Sequence, residues 1–186
     1  MMLNARPRPA VAGAYMAGNF AGSLVTGFLL LVLSGLVSWL PTRIAAGLLL
    51  TGVIALAARA GGIVSFSLPQ NARQIPAEAF LAPAPKAAFG FAFELGTAMR
   101  TYLTKEAPYA AALVLILVSP SSLGAAVAAA LLAAAGFAIG RSMIVSTQIG
   151  RRTIIVEHPP GALQTANWIT LAVAAAMGVT LLAGLG

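Results

Sequence analysis

The residues of this chain best suited to chemistry lie on one short stretch, where Glu94, Thr97 and Thr101 follow one another with Arg100 beside them. They belong to a longer series, Lys86, Gly90, Glu94, Thr97, Thr101 and Thr104, whose steps of four and three line them along one helical face. Phe91, Leu95, Met99 and Tyr102 take the opposite face. A carboxylate flanked by hydroxyls on such a face can accept a proton or a cation, or clamp a polar solute, which is the chemistry of a transport pathway. In apolar surroundings Glu94 stays charged only with an ionic partner or with access to water. Arg100 lies six positions further on, about 120° around a helix, so the two do not form an i, i+4 pair. The partner of Glu94 is therefore expected on another element. The competing reading is plainer: the same series is the wet face of a helix lying at a membrane surface, with no pathway at all.

Other chemistries are excluded by what the chain lacks. It has no cysteine and no aspartate, which removes disulfides, thiolate nucleophiles, zinc ribbons and iron–sulfur clusters. His158 is the single histidine, so neither a metal site nor a catalytic triad can be assembled around it. Four scattered glutamates do not make the paired acid and base that lipid-phosphate chemistry calls for. The expectation is a protein that is not an enzyme and carries no metal and no cofactor.

A second polar cluster gathers Arg141, Arg151 and Arg152, then Glu157, His158 and the turn Pro159-Pro160-Gly161. Together with Arg59, Arg73, Lys86, Arg100 and Lys105 it would form a basic rim, able to meet anionic lipid headgroups at about 1 kcal/mol per residue, or a partner protein. The alternative is that these charges only set orientation in a membrane. Eleven Lys and Arg against four Glu would suggest nucleic acid in a soluble domain; in a chain this apolar the bias is assigned to the membrane, and no nucleic-acid partner is expected.

Small residues are the third signal. Gly18 and Gly22 stand four apart, extended backward by Ala14; Gly136 and Gly140 repeat the spacing, as do Ala174 and Gly178. Such pairs let helix backbones approach closely and supply the dispersion contacts that lipid, itself apolar, cannot drive. They predict tight packing against a helix of the same chain or of another copy.

The elements that must position these residues follow from composition. With 60% of residues hydrophobic and 8% charged, the chain cannot coat a globular surface with polar groups, so its exterior as well as its core is apolar. An all-α integral membrane protein is predicted, a single transmembrane helical domain over residues 1–186. Five segments serve as spans: Gly18 to Leu40, stopped by Pro41; Thr42 to Ala58, with Arg59 reaching the interface; Ala107 to Val118; Gly124 to Gly140; and Ala166 to Leu185. Residues 67–86 hold Pro69, Pro76, Pro83 and Pro85 and read as a cytoplasmic loop.

The segment from Lys86 to Thr104 decides the topology. As a sixth span it leaves the Lys and Arg residues evenly divided between the two sides. As an interfacial or re-entrant helix it places every one of them except Arg43 on the N-terminal side. That asymmetry favours five transmembrane helices plus one interfacial or re-entrant helix, with six spans as the alternative, in the inner (plasma) membrane with the N-terminus cytoplasmic. Trp39 at one end of the spans, and Tyr102, Tyr109 and Trp168 at the other, suit that placement. Functionally, the chain reads as a small polytopic scaffold or accessory subunit, assembling with itself or with other membrane subunits. The alternative is a small transporter or channel using the face of Glu94.

Overall fold

The computed structural model describes residues 9–68, 84–97, 105–118, 123–150 and 161–184, with the side chains of 141–150, 162 and 163 left aside. All regular structure among them is helical: α1 (Pro9–Val37), α2 (Thr42–Ala60), α3 (Ala84–Gly96), α4 (Ala107–Leu117), α5 (Leu123–Gly150) and α6 (Ala162–Leu182). Alanine and leucine, the strongest helix formers, dominate these segments, and prolines stand where helices tolerate them: Pro9 opens α1, and Pro85 and Pro108 lie in the first turns of α3 and α4.

Four helical stretches are long and apolar enough to cross a membrane: Pro9–Val37, Thr42–Ala60, Leu123–Gly140 and Gln164–Leu182. They carry large apolar side chains on open faces, among them Phe28, Leu36, Ile54, Leu132 and Ile169. In water such faces would aggregate; against lipid they are at home. The chain is a helical membrane protein.

The structure moves several boundaries. α1 starts at Pro9 rather than Gly18, because the alanine-rich stretch before Gly18 continues the helix without adding much hydropathy. It ends at Val37, where Ser38 Oγ donates to the Gly35 carbonyl at 2.7 Å, and Pro41 takes the N-cap of α2. α5 does not stop at Gly140 but runs through Arg141 to Gly150. α4 has 11 residues, a rise of about 16 Å against a hydrocarbon layer of about 30 Å. The helix expected over Lys86 to Thr104 begins at Ala84 and closes at Gly96, where the Thr97 hydroxyl donates to the Glu94 carbonyl at 2.8 Å. Of the proline-containing loop at 67–86, only Ser67, Leu68 and the start of α3 belong to the described residues.

Helix contacts divide the chain into two compact units, and α1 and α5 each contribute a segment to both. The first unit holds 9–28 of α1, α3 and 130–150 of α5. Its packing is backbone against backbone. A β-carbon built on Gly18 would lie 2.2 Å from the carbonyl oxygen of Phe89, one on Gly22 2.2 Å from that of Phe93, and one on Gly96 2.2 Å from that of Asn19. α5 presents Ala130, Ala134 and Ala138, all buried and four apart, and Gly27 meets the Ala130 carbonyl. Asn19, wholly buried, donates from Nδ2 to the Ala138 carbonyl at 3.0 Å, and Thr26 donates to the Thr97 carbonyl at 2.9 Å. Each bond gives a side-chain donor a partner that lipid could not supply.

The second unit holds 29–68, 105–118, 123–129 and 161–184. Its core is Leu49, Val53 and Leu56 of α2, Ala110 of α4, Leu171 and Ala174 of α6, and Leu68 beyond α2. Gly178 receives Leu50, and Gly52 receives Leu113, so here glycines accept side chains rather than backbone.

Candidate functional site

The densest polar arrangement lies where the end of α2 meets the starts of α4 and α6. α2 closes in a glycine turn: Gly62, at φ 74°, directs its N–H to the Arg59 carbonyl and lets the N–H of Ile63 reach back to that of Ala58 at 2.8 Å. This reversal brings Phe66 beneath Arg59. The guanidinium donates from Nε to the Phe66 carbonyl at 2.9 Å, lies 5.8 Å from the centre of its ring, and pairs through Nη1 with Oε1 of Glu106. The Glu106 side chain is 6% exposed and that of Arg59 26%, so the pair is mostly withdrawn from solvent.

Glu106 stands at the N-cap of α4 but does not cap it with its own side chain. Asn167 of α6 performs that role from outside: its Oδ1 accepts the first free N–H of α4, from Ala107, at 2.7 Å, while its Nδ2 donates to Glu106 Oε2 at 2.9 Å. The chain of bonds thus runs from the Phe66 carbonyl through Arg59, Glu106 and Asn167 to the backbone of α4. Beside it Lys105 donates to Gln164 Oε1 at 2.7 Å, a second tie between the starts of α4 and α6. A helix start left unsatisfied in an apolar setting costs several kcal/mol per group, and a buried carboxylate without a cation costs more; the network answers both needs at once. Its chemistry is that of a clasp: every polar group named donates to or accepts from another helix or turn.

Next to the clasp, Arg59, Gly62, Val64, Ser65, Phe66 and Ser67 line an open concavity of about 540 Å³. Arg59 uses Nε and Nη1 in the clasp, and its Nη2 group finds no acceptor among the described residues.

The other sequence-selected residues are placed as follows. Glu94 is half-buried on α3, and Thr97 closes that helix, with its hydroxyl on the Glu94 carbonyl and its own carbonyl accepting from Thr26. Arg100, Thr101, Thr104, Arg73, Arg151 and Arg152 lie outside the described residues, and Arg141 is described only in its backbone, within α5. Arg59, read as part of a basic rim, is also engaged with a carboxylate and keeps part of its side chain exposed. Gly18 and Gly22 lie against α3, whereas β-carbons at Gly136 and Gly140 would meet nothing within 4 Å among the described residues. Among the described residues no three His, Cys, Asp or Glu side chains converge as metal ligands.

Sequence reasoning missed Glu106, Asn167 and Asn19. The signals were present but faint. Glu106 immediately precedes Ala107-Pro108, a helix-opening pair, and the two asparagines are amides set within long apolar runs, where an unsatisfied amide is too costly to keep. No family model, curated protein or solved structure matches the chain.

Proposed function

We propose that this chain is a non-enzymatic membrane component, a scaffold or accessory subunit that assembles with itself or with other membrane proteins. The observation that carries the reading is the use to which polar side chains are put. Arg59, Glu106, Asn167, Lys105 and Gln164 tie helix ends together, and Asn19 and Thr26 hold backbone carbonyls on neighbouring segments. Thr97 of the suggested polar pathway likewise closes a helix. Groups engaged in this way favour a rigid body over a path that must exchange ligands. The open apolar faces of α1, α2, α5 and α6 offer area for lipid and for partner helices alike.

Gentle solubilisation of the native membrane followed by native mass measurement tests the reading. An assembly well above the 18.8 kDa of one chain is expected, and vesicles holding the purified protein should leak protons and cations no faster than empty ones. A lone 18.8 kDa species, with a flux that Glu94→Gln abolishes while the protein stays folded, would instead establish the transporter reading. Glutamine keeps the shape of glutamate and removes only its charge and proton exchange.

A further inference from the structure

We infer that the concavity at the end of α2 holds the phosphodiester of a membrane phospholipid. Arg59, Ser65 and Ser67 all line it, so residues carrying a guanidinium and two hydroxyls, the usual donors to phosphate oxygens, border one space. The guanidinium is already oriented: Nε is fixed on the Phe66 carbonyl, Nη1 on Glu106, and its carbon lies over the ring of Phe66, 5.8 Å from the ring centre. Glu106 positions this cation without closing it off, since the Nη2 group has no acceptor among the described residues and the side chain stays a quarter exposed. A ligand there meets a pre-arranged donor rather than a mobile arginine.

The surroundings point to lipid as the source of the phosphate. The turn that builds the concavity exposes apolar side chains outside any helix: Ile63 is 80% exposed, and Val64 and Phe66 are each more than two-fifths exposed. Such residues at the end of a span enter the boundary between headgroups and acyl chains. Trp168 on α6 comes within 3.9 Å of a β-carbon built on Gly61, and tryptophan prefers the same depth. A free anion would gain nothing from Ile63 and Val64, whereas the acyl chains of a lipid whose phosphate sits on Arg59 would cover them.

The inference rests on α2 being membrane-embedded and is independent of the scaffold reading. Alkaline carbonate extraction checks the embedding on its own: protein released by it would refute the membrane premise, and protein retained supports it. The binding test uses the full chain in detergent, titrated with dioleoylphosphatidylglycerol, dioleoylphosphatidylcholine or dioleoylglycerol and followed by native mass spectrometry. Both phospholipids should be retained, and dioleoylglycerol, which lacks the phosphate, should bind about tenfold more weakly. Ser65→Ala combined with Ser67→Ala touches only exposed hydroxyls, so the fold is kept while phospholipid affinity falls about tenfold. Thr51→Ala, an exposed hydroxyl in mid-α2, should leave affinity unchanged. Retention of dioleoylglycerol equal to that of the phospholipids, or undiminished binding by the double serine variant, would overturn the site. Inorganic phosphate displacing the lipid at equal molar concentration would overturn the lipid and assign a free-phosphate site.

Discussion

Three glycine-to-alanine changes isolate what holds α1 against α3. All three sit inside helices, so each gains the same helix propensity, about 1 kcal/mol. They differ in what the new methyl meets. At Gly13 it meets nothing within 4 Å among the described residues. At Gly52 the nearest atom is Leu113 Cδ1 at 2.7 Å, the end of a side chain that can turn aside. At Gly22 the methyl would stand 2.2 Å from the Phe93 carbonyl oxygen and 2.9 Å from the Thr97 nitrogen. Those are backbone atoms, and restoring an ordinary contact of about 3.5 Å requires the helices to part by about 1 Å along that line. Overpacking of this kind costs about 1 to 3 kcal/mol. Gly13→Ala should therefore be neutral or up to about 1 kcal/mol more stable than the parent, Gly52→Ala slightly below it, and Gly22→Ala about 1 to 3 kcal/mol below Gly13→Ala. Unfolding in mixed detergent and dodecyl sulfate, followed by circular dichroism, resolves that gap, which corresponds to roughly 5- to 160-fold in the folded-to-unfolded ratio. If Gly22→Ala proves as stable as Gly13→Ala, α1 and α3 do not meet backbone to backbone and the description of the first unit fails.

Asn167→Ala removes both the acceptor for the Ala107 N–H and a donor to Glu106; a loss of about 2 to 4 kcal/mol is expected in the same unfolding assay, and a loss under about 0.5 would show that water replaces the amide. Arg59→Met keeps an unbranched apolar stem but removes the guanidinium and so strands a buried carboxylate, and should cost about 2 to 4 kcal/mol after allowance for the partial exposure of Arg59; the additional change Glu106→Gln should recover part of that loss, and no recovery would argue against the ion pair as the cause. A reporter fused after Gly186 should be active outside the cytoplasm while one inserted near Gln74 is active inside, as five spans require; activity of both on one side would rule that arrangement out.

Helical class and membrane residence were legible in the residues because both are local properties: a window of apolar side chains needs hydrocarbon wherever the rest of the chain goes, and its backbone must then be helical to satisfy itself. Pro41, likewise local, marked where α1 gives way to α2. The close approach suggested by the spacing of Gly18 and Gly22 could be read as a capacity, but that spacing is the same at Gly136 and Gly140, where an added β-carbon would meet nothing within 4 Å among the described residues. Which small face is used depends on which helix arrives opposite it. The clasp is further still from local reading. Arg59, Glu106 and Asn167 are separated by 47 and 61 positions, and nothing in the residues around any one of them names the other two. Arg59 looked like a cation reaching for the membrane surface because a lone arginine at the end of a span has that option. Tertiary packing adds a second engagement, by carrying a carboxylate to the mouth of α4 and an amide on α6 to hold it, and so fixes where the guanidinium points. Burial raises the cost of leaving any of these groups unpaired, so the partner is selected by the fold as a whole, and only the fold records the choice.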